Sequence, residues 1–419
     1  MRFFELSDNA GDNGRQLGRQ SAAVLRGRIL RHQRQMDGQR LPARLRQARL
    51  RDFRRTLRQA APHWLAEAQG LARGAGVKAD EILLLNCPMP DAPDPTPAGM
   101  NCTTWLSIGA AATQLLKIRD ERNRVQTFYI TRLPDGAPLQ SAKDIGNLGV
   151  AHFFSGRPLA GANNTGGHVA LPDEPRLNDC HVLRFIAENA RNVREIPRLM
   201  DFLMTKKLAG GASRTRGAIY SFVDAEQGLL LETGAGDYAY KFITRGELVI
   251  ANHFLLPQSR RWLTAPANRN TITRKARMEE LLAGLNRAPA PRDLFAVTRD
   301  RKHAPDALCN DDREHFWMTI SAQLQVIDRR RPDQSVNYVC CGNTRHSVYF
   351  PVPLAFTANF QPLVSGRFYM QADRIYRQHQ CRAHMAAAQR QFEKQSCAGP
   401  EFNPAASLRA AYRLLKTTR

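Results

Sequence analysis

The sequence predicts an α+β protein built mainly on antiparallel sheet, and three observations carry that prediction. Residues 14–86 repeat apolar positions at helical spacing among arginines. From Cys102 onward the pattern changes to short apolar strands separated by turn residues. Helical stretches then interrupt the strands in runs, instead of alternating with them one for one as a parallel βαβ chain would require.

In the helical start, Leu50, Phe53, Leu57 and Trp64 share one face with arginines on the others, and "GQRLP" breaks the run. Pro62 suits a first helical turn, and Gly74 and Gly76 suit an end. "CPMPDAPDPTPAG" (87–99) is too proline-dense for a helix or central strand and reads as an exposed, semi-rigid loop. Strands follow in "CTTWLSI", "TQLLKI", "VQTFYITRL" and "IGNLGVAHFF", then a helical "CHVLRFIAENARNVREIPRLMDFLM". "GAIYSFVDAEQGLLLETG", "YAYKFI" and "ELVIANHF" are strands, and "TRKARMEELLAGL" is a helix. "MTISAQLQVID" with "SVNYVCCG" forms a hairpin before a helical tail, 366–419.

At 419 residues and 43% hydrophobic, the chain can bury a substantial core as one large or two ordinary domains. Its start lacks a basic region followed by an apolar one, and no stretch is long and apolar enough to span a bilayer, so the expectation is a cytoplasmic protein with no transmembrane segment. Eight cysteines without a CxxC pair argue against a disulfide framework or a structural metal. A net charge of +23 attracts anions in general. Much of it lies on amphipathic helices without aromatic or motif support for a nucleic-acid groove, so no specific nucleic-acid partner is expected.

"AGMNCTTWLSIGAAATQLLKIRDERN" (98–123) poses the functional question. A turn in "GAAA" centred on Ala111 pairs Cys102 with Asp120 across the hairpin, setting a thiol beside a carboxylate. A carboxylate alone makes a thiol a poorer nucleophile, so a base is required. A Cys-His dyad would have to recruit His152, His253 or His303 from a distance. Alternatively Cys102 becomes a chain terminus and its own α-amine, with an ordinary pKa of about 7.7–8.0, is the base.

The order of motifs resembles the N-terminal-nucleophile hydrolases of peptidase family C45, typified by acyl-coenzyme A:6-aminopenicillanic acid acyltransferase, and more distantly the choloylglycine hydrolases. The likeness covers most of the chain: the glycine-spaced "GRQLGRQSAAVLRGRI", the Cys-Thr strand with its following aspartate, a "G-x-N-x-x-G" turn in "GANNTGG" (161–167), a strand ending Asn-His in "VIANHF", and an arginine entering a helix in "TITRKARMEELL". It implies a four-layer αββα sandwich, with a helical pro-region over 1–101 and a catalytic region over 102–419. It also implies self-processing, in which the Cys102 thiol attacks the carbonyl of Asn101 and water releases the two pieces, with Thr103 assisting.

By the same resemblance Asp120 holds the freed amine, Asn252 and the backbone around Asn163 face the oxyanion, and Arg274 braces the site. The chain departs from the pattern at Asn101, where glycine is usual, at "KIRD", where "NWD" is usual, and at Asn310 and Asp311, where arginine and histidine are usual. The expected activity is cleavage of a small linear amide through a Cys102 thioester, without metal or cofactor. The alternatives are an N-acyltransferase using a coenzyme A thioester as co-substrate, and a non-catalytic basic binder of anions or nucleic acid on the same fold.

Overall fold

The computed structural model describes residues 2–89, 102–122, 125–213, 215–234, 236–285, 289–312, 317–377, 382–396 and 403–417. Most of the proline-rich loop and Asn101 lie outside the described residues.

After a short strand β1 (Phe3–Phe4), the Asn9 side chain accepts the Asp12 N–H at 3.0 Å and starts α1 (Ala10–Gly38). The "GQRLP" break precedes α2 (Ala43–Ala60), whose Leu50, Phe53 and Leu57 form one buried stripe. Next come α3 (His63–Ala75), closed by Gly76 in a left-handed conformation at φ 68°, and α4 (Ala79–Asn86). The spaced glycines let α1 and α3 touch backbone to backbone. A Cβ on Gly14 would lie 2.3 Å from Glu67 O, and one on Gly70 would lie 2.1 Å from Gly11 O.

The strands then run β2 (Cys102–Ile108), β3 (Ala112–Arg122), β4 (Gln126–Arg132), β5 (Pro138–Asp144), β6 (His152–Ser155) and β7 (Leu159–His168). Two helices, α5 (Asp179–Asn189) and α6 (Ile196–Thr205), precede β8 (Arg216–Val223), β9 (Gly228–Gly234), β10 (Asp237–Ile243) and β11 (Gly246–Ile250). Helices α7 (Arg269–Ala283) and α8 (Pro291–Val297) lead to β12 (Asp311–Asp312), β13 (Trp317–Asp328), β14 (Val336–Cys341), β15 (Phe350–Pro353) and β16 (Asn359–Phe360). The chain continues through α9 (Gln361–Val364), α10 (Arg367–Arg377), α11 (Arg382–Ser396) and α12 (Pro404–Thr417).

One antiparallel sheet has the order β10-β9-β8-β7-β6-β5-β4, and the other β11-β2-β3-β13-β14-β15 with β12 on β13. Leu106, Ile108 and Leu115 of the second pack on Ala160, Ala162, Ile219 and Leu230 of the first, so the sheets stack face to face. Helices α1–α6 cover the outer face of the first sheet through Leu25, Phe53, Trp64, Leu183 and Ile186 against Tyr220, Leu229 and Leu231. Met278, Leu294 and Phe295 of α7 and α8 cover the second through Trp105, Leu116 and Ile118. The result is a four-layer αββα sandwich, the architecture the resemblance implies.

Four local expectations are corrected. "GANNTGG" lies within strand β7 and is not a turn, because its small residues pass between β6 and β8. Within "IGNLGVAHFF" only the final "HFF" is strand, and Asn252 and His253 lie just beyond β11, not at its end. The hairpin register is also one residue from the expected one. Gly109 N–H bonds Ala112 O at 3.0 Å, so the turn is the two residues Ala110 and Ala111 and is centred between them. Cys102 therefore pairs with Arg119, and Asp120 falls on the opposite face of the sheet.

Candidate active site

Pairing between β2 and β11 stops at Thr104 and Ile250, which leaves Cys102 without a backbone partner on that side. Side chains replace it. The Cys102 N–H donates to Asn252 Oδ1 at 2.9 Å, and its carbonyl accepts from Arg274 Nη1 at 2.6 Å. Arg274, reached from the first turns of α7, is wholly buried and also bonds Thr103 Oγ1 at 2.6 Å, Asn252 Oδ1 at 2.7 Å and Asn270 Oδ1 at 2.9 Å. Asn252 is fixed in turn, its N–H on Thr271 Oγ1 at 2.7 Å and its Nδ2 on Thr165 O at 2.8 Å. The loop after it hangs on Glu232, whose carboxylate accepts from Leu255 N at 2.6 Å and Leu256 N at 3.2 Å. Burial pushes that carboxyl up to about 7.

Strand alternation sorts the remaining groups. Cys102, Thr104, Leu115, Lys117 and Arg119 face the other sheet, whereas Thr103, Trp105, Ile118 and Asp120 face the helices. On the inner face, the wholly buried Lys117 bonds Asn164 Oδ1 and lies one inward position along from Cys102, within electrostatic reach of its thiol. Burial lowers its pKa, and Arg119 lowers it further, against the opposing pull of Cys102 and Asp120. Asn164 is held by Thr104 Oγ1 at 2.7 Å and donates to Ala251 O at 2.8 Å. Arg119 is paired with Asp144 at 2.7 Å.

On the outer face, Asp120 accepts from Thr319 Oγ1 at 2.7 Å and feels the Arg274 charge. Burial pushes its carboxyl up to about 7, with Arg274, Thr319 and Lys117 resisting. Thr319 Oγ1 also accepts the Asn310 N–H at 2.8 Å, so Asn310 lies behind this carboxylate.

The structure thus gathers Cys102, Thr103, Asn252 and Arg274 into one hydrogen-bonded group and sets Asp120 beside Arg274 behind it. Asn163 is not part of that group: it points outward, its Nδ2 on Asp179 Oδ2 at 2.6 Å, while its neighbour Asn164 faces Lys117 and Thr104. Of the histidines weighed above, His253 bonds Thr271 Oγ1 at 2.9 Å, His303 is exposed, and His152 is buried on the inner face with neither ring nitrogen bonded. Sequence reasoning missed Lys117, Asn164, Asn270 and Thr271. The available signal for Lys117 was a lysine at an inward position of the otherwise apolar "TQLLKI".

Asn252 and His253 form one wall of a cavity of about 250 Å³, with Phe254, Leu263, Ala265 and Pro266 as its apolar lining and Arg216 and Arg260 at its polar side. Among the described residues, no group of three or more His, Cys, Asp or Glu side chains is placed to hold a metal.

No protein-family model matches the chain, and no curated protein matches it. Among solved structures it is similar to two variants of conjugated bile acid hydrolase from Clostridium perfringens, at 10% and 12% identity and TM-scores of 0.35 and 0.33. These matches cover 60% and 61% of this chain and 92% of each of the others. It is also similar to the Caenorhabditis elegans ortholog of N-acylethanolamine-hydrolyzing acid amidase, at 12% identity and a TM-score of 0.37, over 55% of this chain and 94% of that one.

Proposed function

We propose that this chain is a self-processing cysteine N-terminal-nucleophile enzyme that hydrolyses a small linear amide through a Cys102 thioester. The observation that carries the reading is the grip on residue 102: its N–H and its carbonyl are both held by side chains, Asn252 and Arg274, at the open end of a central strand. An ordinary strand residue needs no such support. A residue that becomes a chain terminus does, because its new amine must find an acceptor already in place and its sulfur a fixed direction of attack.

In this reading cleavage before Cys102 frees the amine, which then takes the thiol proton as sulfur attacks the substrate carbonyl. The substrate's own amine leaves with that proton, and water then splits the thioester into the acid and the restored thiol. Asn252, with one Nδ2 proton left beyond its bond to Thr165, and Lys117 would be the donors to the developing oxyanion. Asp120 acts through Arg274. The cavity beside Asn252 takes one half of the substrate, and at about 250 Å³ it suits a short amide better than a coenzyme A thioester.

Intact-mass spectrometry of the wild type beside Cys102→Ala tests this. Two pieces divided between Asn101 and Cys102 in the wild type, one chain in the variant, and thioester trapping by an activated acyl probe in the wild type alone are expected. An uncut wild type inert to such probes overturns the reading.

A further inference from the structure

Self-cleavage sets a requirement that the reaction on substrate does not. Until the bond between Asn101 and Cys102 breaks, the nitrogen of residue 102 is an amide. Its lone pair is delocalised and its hydrogen is donated to Asn252 Oδ1 at 2.9 Å, so it cannot receive the thiol proton. Another group has to.

Lys117 meets the geometric demand. It sits opposite Thr104 in the strand pairing, one inward position along from the pair Cys102 and Arg119, so its amine shares a face with the sulfur and comes within reach of it. It is wholly buried and makes no ion pair with a carboxylate among the described residues; its bonded partner is the neutral Asn164. The charged or titratable groups around it are Cys102, Arg119 and Asp120 from its own sheet and His152 from the facing one. An ammonium so placed is costly to keep charged, and a lysine, unlike an arginine, can give up its proton. The competing groups are worse placed. Asp120 is on the far face against Thr319, His253 is bonded to Thr271, and His152 faces Lys117 and Arg119.

Building on the self-processing reading, we propose that Lys117 is the general base of self-cleavage. Its neutral amine takes the proton from the Cys102 sulfur as sulfur bonds the Asn101 carbonyl carbon. The proton passes to the Cys102 nitrogen as the C–N bond breaks, and Lys117 is neutral again. Water then splits the thioester, releasing the Asn101 carboxylate and restoring the thiol beside a free α-amine. That amine serves later turnovers, so Lys117 is needed as a base only in the uncut chain.

The test follows full-length chains by time-resolved intact mass in cell-free synthesis, from pH 6 to 9, with thermal melts to confirm folding. Lys117→Arg keeps a long hydrogen-bond donor opposite Asn164 but stays protonated and cannot act as a base, and in a variant whose melt shows it folded, cleavage should slow on the order of 100-fold or more. Lys117→Ala should stay intact and be rescued by added small primary amines, with a rate that tracks amine basicity. A merely structural lysine would give neither the arginine defect nor that dependence. A cut wild type with an equally fast Lys117→Arg, or amines without effect on a folded Lys117→Ala, overturns the assignment of Lys117 while leaving self-processing intact. An uncut wild type overturns both.

Discussion

Arg274 spreads one buried guanidinium over the Cys102 carbonyl, Thr103, Asn252 and Asn270. Removing it leaves three of those acceptors facing a hole, so Arg274→Met is expected to destabilise the fold by about 3 kcal/mol or more and, on the proposed self-processing, to leave the chain uncut. Chemical denaturation with intact mass checks both. The titration of Asp120 and Glu232 has a definite sign. Each is pushed up to about 7, so between about pH 4 and 7 the folded chain holds protons that the unfolded chain has released. Their contribution therefore weakens as pH rises through that window. Asp120→Asn should flatten the dependence of melting temperature on pH between 4.5 and 7.5; an unchanged slope would contradict it. Glu67, held down to about 2 by Arg184 and Lys143 despite its burial, acts in the opposite sense and only below its ordinary range. At this scale the sequence was legible where a residue type was unusual for its place, as with Cys102 at the head of a strand. It was not legible where facing mattered: Asn163 and Asn164 are chemically identical neighbours, and only the pleat decides which one meets Lys117.

Among the elements, the contact between α1 and α3 depends on glycines that allow main chains to meet. Gly70→Ala would force its Cβ to 2.1 Å from Gly11 O, and a rearrangement costing about 1–3 kcal/mol is expected, read as a lower denaturant midpoint. The loop after β11 depends on Glu232 in the same way. Glu232→Ala orphans the Leu255 and Leu256 N–H groups, shifts the attached Asn252, and should reduce stability and, on the proposed self-processing, the rate of the cut. Most elements were readable because their periodicity is strong: "CTTWLSI" is β2 to the residue, and the two arginine-rich helices break where "GQRLP" demands. The register of β2 on β3 was not, since four small residues in "GAAA" admit turns of two or three residues, and composition does not choose between them. Strand β5 and the short pairing of β1 with β16 went unseen because neither carries a strong apolar alternation.

For the molecule as a whole, residues 2–89 are built into the outer helical layer. Its Leu25, Phe53 and Trp64 share a core with Leu183 and Leu229, Glu67 bridges Arg184 and Lys143, and Arg28 pairs with Asp144. If the chain cuts itself, the pieces should co-elute in size-exclusion chromatography and part only in denaturant; separation in native buffer would count against this picture.

The pairing of β1 with β16 adds a consequence of its own. Phe3 stacks on Phe360 at 4.9 Å, so the first few residues clasp a strand more than 350 positions away in a molecule whose two parts are interleaved. Such an arrangement folds as one chain and, once severed, would have to reassemble as two. Heat would then destroy in a single pass what synthesis builds once, and the lifetime of the cut protein would be set by its rate of unfolding and not by any equilibrium.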